Sequence, residues 1–205
     1  MKRWVSIYVI LLYTAICISL LFAASCGSRA RSPEENDALQ GQLQKETEEV
    51  RDFVNEAVSE NMMEIRMAEI AMERSQHPEV DELAKSIKQD HLEASEDLRS
   101  IASEKSWSVP VMLLDKHAEK IQKLLKGKRE NINEEYLELT ANTHEDAIRL
   151  WEKYANKSHD TEVVMWANQT LPVLRRHLQN SKELLNRVEE SQAAAAVEAV
   201  DETAP

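Results

Sequence analysis

Four long segments of this sequence repeat mainly apolar residues at intervals of three or four, and no other feature constrains the fold as tightly. Such a repeat gives each helix one apolar stripe, which is the pattern of helices that pack side by side in a bundle. The segments span residues 53–72, 80–101, 137–154 and 163–188. The sequence therefore predicts an all-α protein built on a four-helix bundle.

The residues between these segments predict where the helices begin and end. Loops are expected at residues 75–77 and 157–160. Pro78 suits the first turn of the second helix, because a proline there gives up no helical hydrogen bond. Pro172 lies inside the fourth segment and predicts a kink or a short break near Thr170.

A longer connector, residues 105–130, joins the second and third helices. We expect it to hold one short helix, Asp115–Lys126, that ends at Gly127. A connector of this length allows two arrangements: the second and third helices are antiparallel neighbours, or the connector crosses the whole length of the bundle.

Composition excludes several classes of function. The chain of 205 residues has only three glycines, so it cannot build the glycine-rich phosphate loops of nucleotide-binding proteins. Its net charge of −12 would repel a phosphate backbone, which argues against nucleic acid as a partner.

The N-terminus predicts export. A basic start is followed by the apolar stretch Val5–Phe22, and then by three small residues that lead to Cys26. This order resembles the signal peptide and lipobox of bacterial lipoproteins, although Ala23 stands where that motif usually has leucine. The resemblance implies that residues 1–25 are removed and that Cys26 is lipidated. The alternative is an uncut anchor, because about 18 apolar residues can span a bilayer.

The rest of the chain divides by composition into three parts. Residues 26–46 are polar and predict a flexible tether, residues 47–190 hold the bundle, and residues 191–205 predict a disordered tail rich in alanine and glutamate. Once the signal is removed, Cys26 is the only cysteine, so we expect no disulfide. Gly27 stands where an aspartate would favour the inner membrane, so we expect a lipid anchor in the outer membrane, facing the periplasm.

Three histidines lie on the apolar stripes of three different helices, namely His91, His144 and His177. Glu64 lies on the first helix at a similar depth, since all four residues are about 12–17 residues from the nearest loop, or roughly 18–26 Å along a helix. Glu60 lies at the opposite margin of the same stripe, so either acid could face inward. The four helices therefore bring one ionisable side chain each to the middle of the bundle.

These residues are candidate metal ligands. Imidazoles with a carboxylate suit Zn, Fe, Mn, Cu or Ni, and spacing alone does not choose among them, although zinc and iron are representative candidates. Glu64 either completes a four-ligand site or supports a histidine from behind and leaves one position open. The alternative is a structural network in which a buried carboxylate bonded to a protonated histidine sets the helix register.

Several short motifs together resemble one bacterial family. The motifs are Asp52-Phe53, Met62-x-Glu64, Pro78-Glu79-Val80, Asp90-His91, Tyr136-Leu137, His144-Glu145, and Thr170-Leu171-Pro172 through His177-Leu178. Over residues 52–185 the chain resembles the domain-of-unknown-function family labelled "predicted outer membrane protein", which is grouped with ferritin-like bundles. The resemblance implies an exported ferritin-like four-helix bundle and brings no established activity.

The chain departs from the di-iron members of the wider ferritin-like group. Those bundles carry Glu-x-x-His on two helices. Here the residues three positions before the stripe histidines are Lys88, Ala141 and Leu174. A ferritin-type ferroxidase centre is therefore not expected, and the fold resemblance does not bring that activity with it.

The sequence as a whole favours an exported, membrane-anchored lipoprotein with a non-catalytic role in binding or in the cell envelope. The alternative is a metal-binding protein, or a metal-dependent redox or hydrolytic protein, with a site at Glu64, His91, His144 and His177. Neither the protein partner nor the oligomeric state can be deduced from the residues.

Overall fold

The computed structural model describes residues 32–202, and within that range the chain forms helices and no strand, as the sequence predicts. None of the described helices is long and apolar enough to cross a membrane. The chain divides into two compact units, of which the first ends at Gln42 and the second, with the bundle, begins at Leu43. The helices are α1 (Pro33–Arg74), α2 (Pro78–Glu104), α3 (Asp115–Lys126), a 3-10 turn (Arg129–Asn131), α4 (Ile132–Lys157) and α5 (Thr161–Glu202).

The apolar stripes of the four long helices meet in two buried clusters. The cluster beside the α1–α2 turn, here called the lower core, includes Met67, Val80, Leu124, Tyr136 and Leu184. The cluster beside the α4–α5 turn, the upper core, includes Phe53, Leu98, Trp151, Trp166 and Leu171. Each long helix contributes residues to both clusters, so all four helices run past both cores.

The order of these contributions gives the direction of each helix. α1 and α5 pass from the upper core to the lower core, whereas α2 and α4 pass from the lower core to the upper. The connector between Glu104 and Ile132 therefore crosses the length of the bundle, and on the way α3 packs Ile121 and Leu124 into the lower core. This single long crossover is the connectivity of ferritin-like bundles.

Two segments are helical where the sequence suggested irregular chain. α1 already begins at Pro33, inside the predicted tether, because Ser32 and Glu35 form a reciprocal capping box in which each backbone N–H donates to the other's side chain. α5 extends to Glu202, through much of the predicted tail, because alanine and glutamate are strong helix formers.

Pro172 does not break α5. The helix is continuous from Thr161 to Glu202, and Thr170 donates its hydroxyl hydrogen to the Trp166 carbonyl one turn earlier. Packing of residues on both sides of the proline, such as Leu171 and Leu174 in the upper core, holds the helix together where local sequence predicted a break.

A layer of buried polar side chains separates the two cores. All four long helices supply it, at Glu60, Asn61 and Glu64 on α1, His91 on α2, Thr140, Thr143 and His144 on α4, and His177 on α5. In a bundle stabilised by apolar packing, each of these groups needs a partner, because an unpaired buried polar group costs about 1–3 kcal/mol.

Candidate metal centre

The structure brings His91, His144 and His177 together in the polar layer. Their exposed fractions are 3%, 1% and 0%. Nε2 of His144 lies 3.3 Å from Nε2 of His91 and 3.2 Å from Nδ1 of His177. The three rings thus point one nitrogen each toward a common centre, and these atoms all lie within 4.8 Å of one another.

The other nitrogen of each ring faces an acceptor. Nδ1 of His91 lies 2.9 Å from the side-chain oxygen of Asn61, and Nδ1 of His144 lies 2.8 Å from the carbonyl oxygen of Thr140. Nε2 of His177 lies 2.9 Å from a carboxylate oxygen of Asp90. Since carbonyl and carboxylate oxygens only accept, each of these outward ring nitrogens carries the hydrogen.

It follows that the three inward nitrogens are bare acceptors when the imidazoles are neutral. Burial lowers the pKa of His91 well below its usual value, with the neighbouring histidines adding to the effect. Burial likewise lowers the pKa of His144 to about 4, and burial with the His144 charge lowers that of His177 to about 4. Three lone pairs that face one another cannot satisfy each other, so the arrangement requires a cation or a shared proton.

The spacing fits a single metal ion. Zinc-type metals bind imidazole nitrogens at about 2.0–2.1 Å, so two nitrogens on one tetrahedral ion stand about 3.3–3.4 Å apart. The separations of 3.3 and 3.2 Å from His144 to the other two rings match this value, and the nitrogens of His91 and His177 lie within 4.8 Å of each other. Hydrogen bonds from the outward ring nitrogens to fixed acceptors are also the usual support of metal-binding histidines.

Glu64 lies behind His144 and is not one of the converging atoms. Its carboxylate oxygen is 3.7 Å from Nδ1 of His144, on the side of the ring that faces away from the centre, and it accepts a short hydrogen bond from Thr143. Burial raises the pKa of Glu64 to about 7, although the Thr143 hydrogen bond opposes the shift. Glu64 was expected either to bind the metal or to support a histidine that does. Its position beside the outward nitrogen of His144 corresponds to the second role.

Glu60, the other acid considered on α1, is also inside the bundle, with 6% of its surface exposed. Burial raises its pKa to about 8, and the negative charges of Glu64 and Glu56 add to the shift. The two acids are thus not alternatives, because α1 buries both.

Sequence reasoning missed the residues that orient the rings. Asn61 lies on the α1 stripe and could have been recognised as a buried polar residue, and Asp90 directly precedes His91. The Thr140 contact uses a backbone carbonyl, so no side-chain signal could have indicated it. A further histidine that sequence reasoning did not place inside the protein is His117 on α3, which is buried with 3% exposed.

The bundle resembles several solved structures. A DUF305 fragment from Deinococcus radiodurans has a TM-score of 0.60 and 19% identity, and CopM in its Cu(I)-bound form has a TM-score of 0.58 and 17% identity. CopM in its Cu(II)-bound form has a TM-score of 0.58 and 16% identity. Each match covers 67% of this chain and 95% of the other. At these identities the likeness is one of fold.

Sequence comparison gives the family. No curated protein matches the chain. The family model described as "Domain of unknown function (DUF4142)" matches residues 33–184, which include α1, α2, α4, the first part of α5 and the three converging histidines. This agrees with the resemblance of the motifs to a helical domain-of-unknown-function family. The chain therefore belongs to the DUF4142 family.

Proposed function

We propose that this protein binds one copper ion in the middle of the bundle, through Nε2 of His91, Nε2 of His144 and Nδ1 of His177. The observation that supports the proposal most strongly is the orientation of the three rings. Each has its outward N–H engaged by a fixed acceptor, so that three bare nitrogens converge. A purely structural network would have placed donors opposite acceptors.

Copper is favoured over the zinc and iron considered from the sequence. The three inward ligands are neutral imidazoles with no carboxylate among them, a set that suits zinc, copper, iron and nickel. For a given set of nitrogen ligands, copper binds more tightly than the other divalent first-row metals. Two of the structurally similar proteins are copper-bound forms of CopM, which supports the same choice.

The surroundings of the site favour holding a metal over turning over a substrate. The three histidines expose 3% of their surface or less, so a substrate has no access to the inward nitrogens in this conformation. We therefore propose a binding role, such as storage or transfer of the metal, without catalysis.

We also propose that the bundle is held at the outer membrane and faces the periplasm, through a lipid on Cys26. The support is the N-terminal sequence alone, since Cys26 lies outside residues 32–202.

The test is metal analysis of the full chain, purified without an affinity tag that binds metal and without chelator, then supplied with copper. We expect about one copper per chain, and loss of it in His91→Ala and in His144→Ala. His159→Ala is the control, because His159 lies at the α4–α5 turn, where it contacts Glu46. Circular dichroism would verify that each variant is folded.

Three results would contradict the proposal. If folded wild-type chain takes up no metal, the polar layer is structural. If copper also remains in the folded His91 and His144 variants, the metal lies elsewhere. If zinc or iron is taken up and copper is not, the site stands but the choice of copper is wrong.

A further inference from the structure

The three acceptors that orient the histidine rings differ in their exposure to water. Asn61 and Thr140 are completely buried. The Asp90 side chain, by contrast, is 27% exposed, while the His177 side chain that it contacts is 0% exposed. Of these three links, only the one through Asp90 connects the centre to solvent.

A positive side chain covers this link. One guanidinium nitrogen of Arg176 lies 2.8 Å from the same Asp90 oxygen that accepts the His177 N–H, and the Arg176 side chain is 54% exposed. The carboxylate thus stands between a buried imidazole and an exposed cation. Arg176 therefore occupies the position beside the Asp90 carboxylate that an incoming metal cation would contact first.

We propose that copper enters the bundle past Asp90, whose carboxylate attracts the ion at the surface, and that Arg176 restrains entry by pairing with that carboxylate. This inference rests on the proposed copper site. It names the route by which the metal reaches that site, between α2 and α5. Asp90 therefore has two roles: it orients His177, and it attracts the ion.

His177 links the surface carboxylate to the centre. Its Nδ1 lies toward the centre and its Nε2 lies beside the carboxylate. Asp90 holds a negative charge at the surface position, and such a charge can raise the association rate of a cation about 10-fold or more.

The experiment measures copper uptake and release by the full chain. Loading is followed by stopped flow after mixing with Cu(II), and release is followed after mixing loaded protein with excess chelator. Asp90→Asn removes the charge but keeps an oxygen that can accept the His177 N–H. Asp90→Ala removes both. Arg176→Gln uncovers the carboxylate, and Arg175→Gln is the matched control, because Arg175 pairs with Glu152 on α4.

We expect loading to be about tenfold slower in Asp90→Asn, with release no faster than in the wild type, because one route serves both directions. Asp90→Ala should in addition lower the copper affinity about 10–100-fold, as for the loss of other orienting partners of metal ligands. Arg176→Gln should load several-fold faster than the wild type, and Arg175→Gln should match the wild type.

Other outcomes would overturn the inference. If Asp90→Asn loads copper at the wild-type rate, or releases it faster, Asp90 only orients His177 and copper enters by another route. Equal acceleration in the Arg176 and Arg175 variants would mean a general effect of surface charge. If the wild type takes up no copper, the proposed function fails and this inference fails with it.

Discussion

At the scale of single residues, Glu60 illustrates how burial controls charge in this bundle. Its pKa is raised to about 8, first by burial and then by the negative charges of Glu64 and Glu56. The folded chain thus holds a proton on Glu60 that the unfolded chain gives up near the usual pKa of about 4.3. The contribution of the protonated Glu60 to the free energy of unfolding is complete below the unfolded pKa and is lost as the pH rises through 8.

Glu60→Gln should therefore change the pH dependence of stability. Glutamine resembles the protonated acid but cannot ionise, so the variant should keep its free energy of unfolding between pH 5 and pH 9. The wild type should lose stability over that range, and at pH 9 the variant should be more stable by more than about 1 kcal/mol, since one pKa unit corresponds to about 1.4 kcal/mol. Urea unfolding at both pH values measures the difference. If the free energy of unfolding falls equally in both proteins between pH 5 and pH 9, Glu60 is ionised in the folded state.

At the scale of elements, a buried hydroxyl on α1 contacts the start of α3. Ser59 on α1 accepts the Leu114 N–H at 2.8 Å, just before α3 begins, and its oxygen lies 2.7 Å from Nδ1 of His117. Nε2 of His117 lies 3.2 Å from a carboxylate oxygen of Glu56. The order serine, histidine, glutamate resembles a hydrolase triad, but Ser59 is completely buried and its hydroxyl is engaged by the Leu114 backbone. The contact anchors the crossover.

Ser59→Ala should weaken this attachment. The change leaves the Leu114 N–H and His117 without their buried partner, which should lower the free energy of unfolding by about 1–3 kcal/mol. Ser181→Ala is the matched control, because Ser181 is also completely buried but its hydroxyl has no partner. Urea midpoints of both variants measure the effect. Equal midpoints would mean that the Ser59 hydroxyl does not stabilise the attachment and that the other contacts of α3 hold it.

At the scale of the whole molecule, the proposed export and anchoring depend on residues 1–26, which lie outside the described range. If Cys26 is lipidated, bacterial cells that express the protein should incorporate a labelled fatty acid into it, and the protein should sediment with the membranes. Cys26→Ser should abolish the label. Cys17→Ser is the control, since Cys17 lies within the predicted signal peptide and should not affect the label. Mass spectrometry that finds residues 1–25 still attached would support the uncut anchor instead.

The two apolar cores also explain how the molecule tolerates a polar layer. The layer places three neutral histidines and two acids of raised pKa in one cross-section of the bundle. The lower and upper cores stabilise the four helices on either side of it. A ligand that binds only the folded state adds to that stability by mass action.

Much of the fold could be predicted because helical periodicity is local. The stripe that carries Val80, Ile87 and Leu98 follows from residues three and four apart, and the structure buries all three. The same rule placed His91, His144 and His177 on buried faces, at similar depth. The short break considered near Thr170 does not occur, because packing on both sides of Pro172 outweighs the local preference of the proline.

Local sequence was therefore sufficient for the number of helices, their buried faces and the depth of the histidines, since neighbours along one helix set all of these. Only tertiary structure decided that the connector crosses the bundle, that Glu64 stands behind His144, and that three ring nitrogens converge. The contacts responsible join residues far apart in the chain, such as Asn61 with His91 and Asp90 with His177. Ring orientation depends on which distant acceptor packing brings within reach of each N–H, and no periodic pattern contains that information.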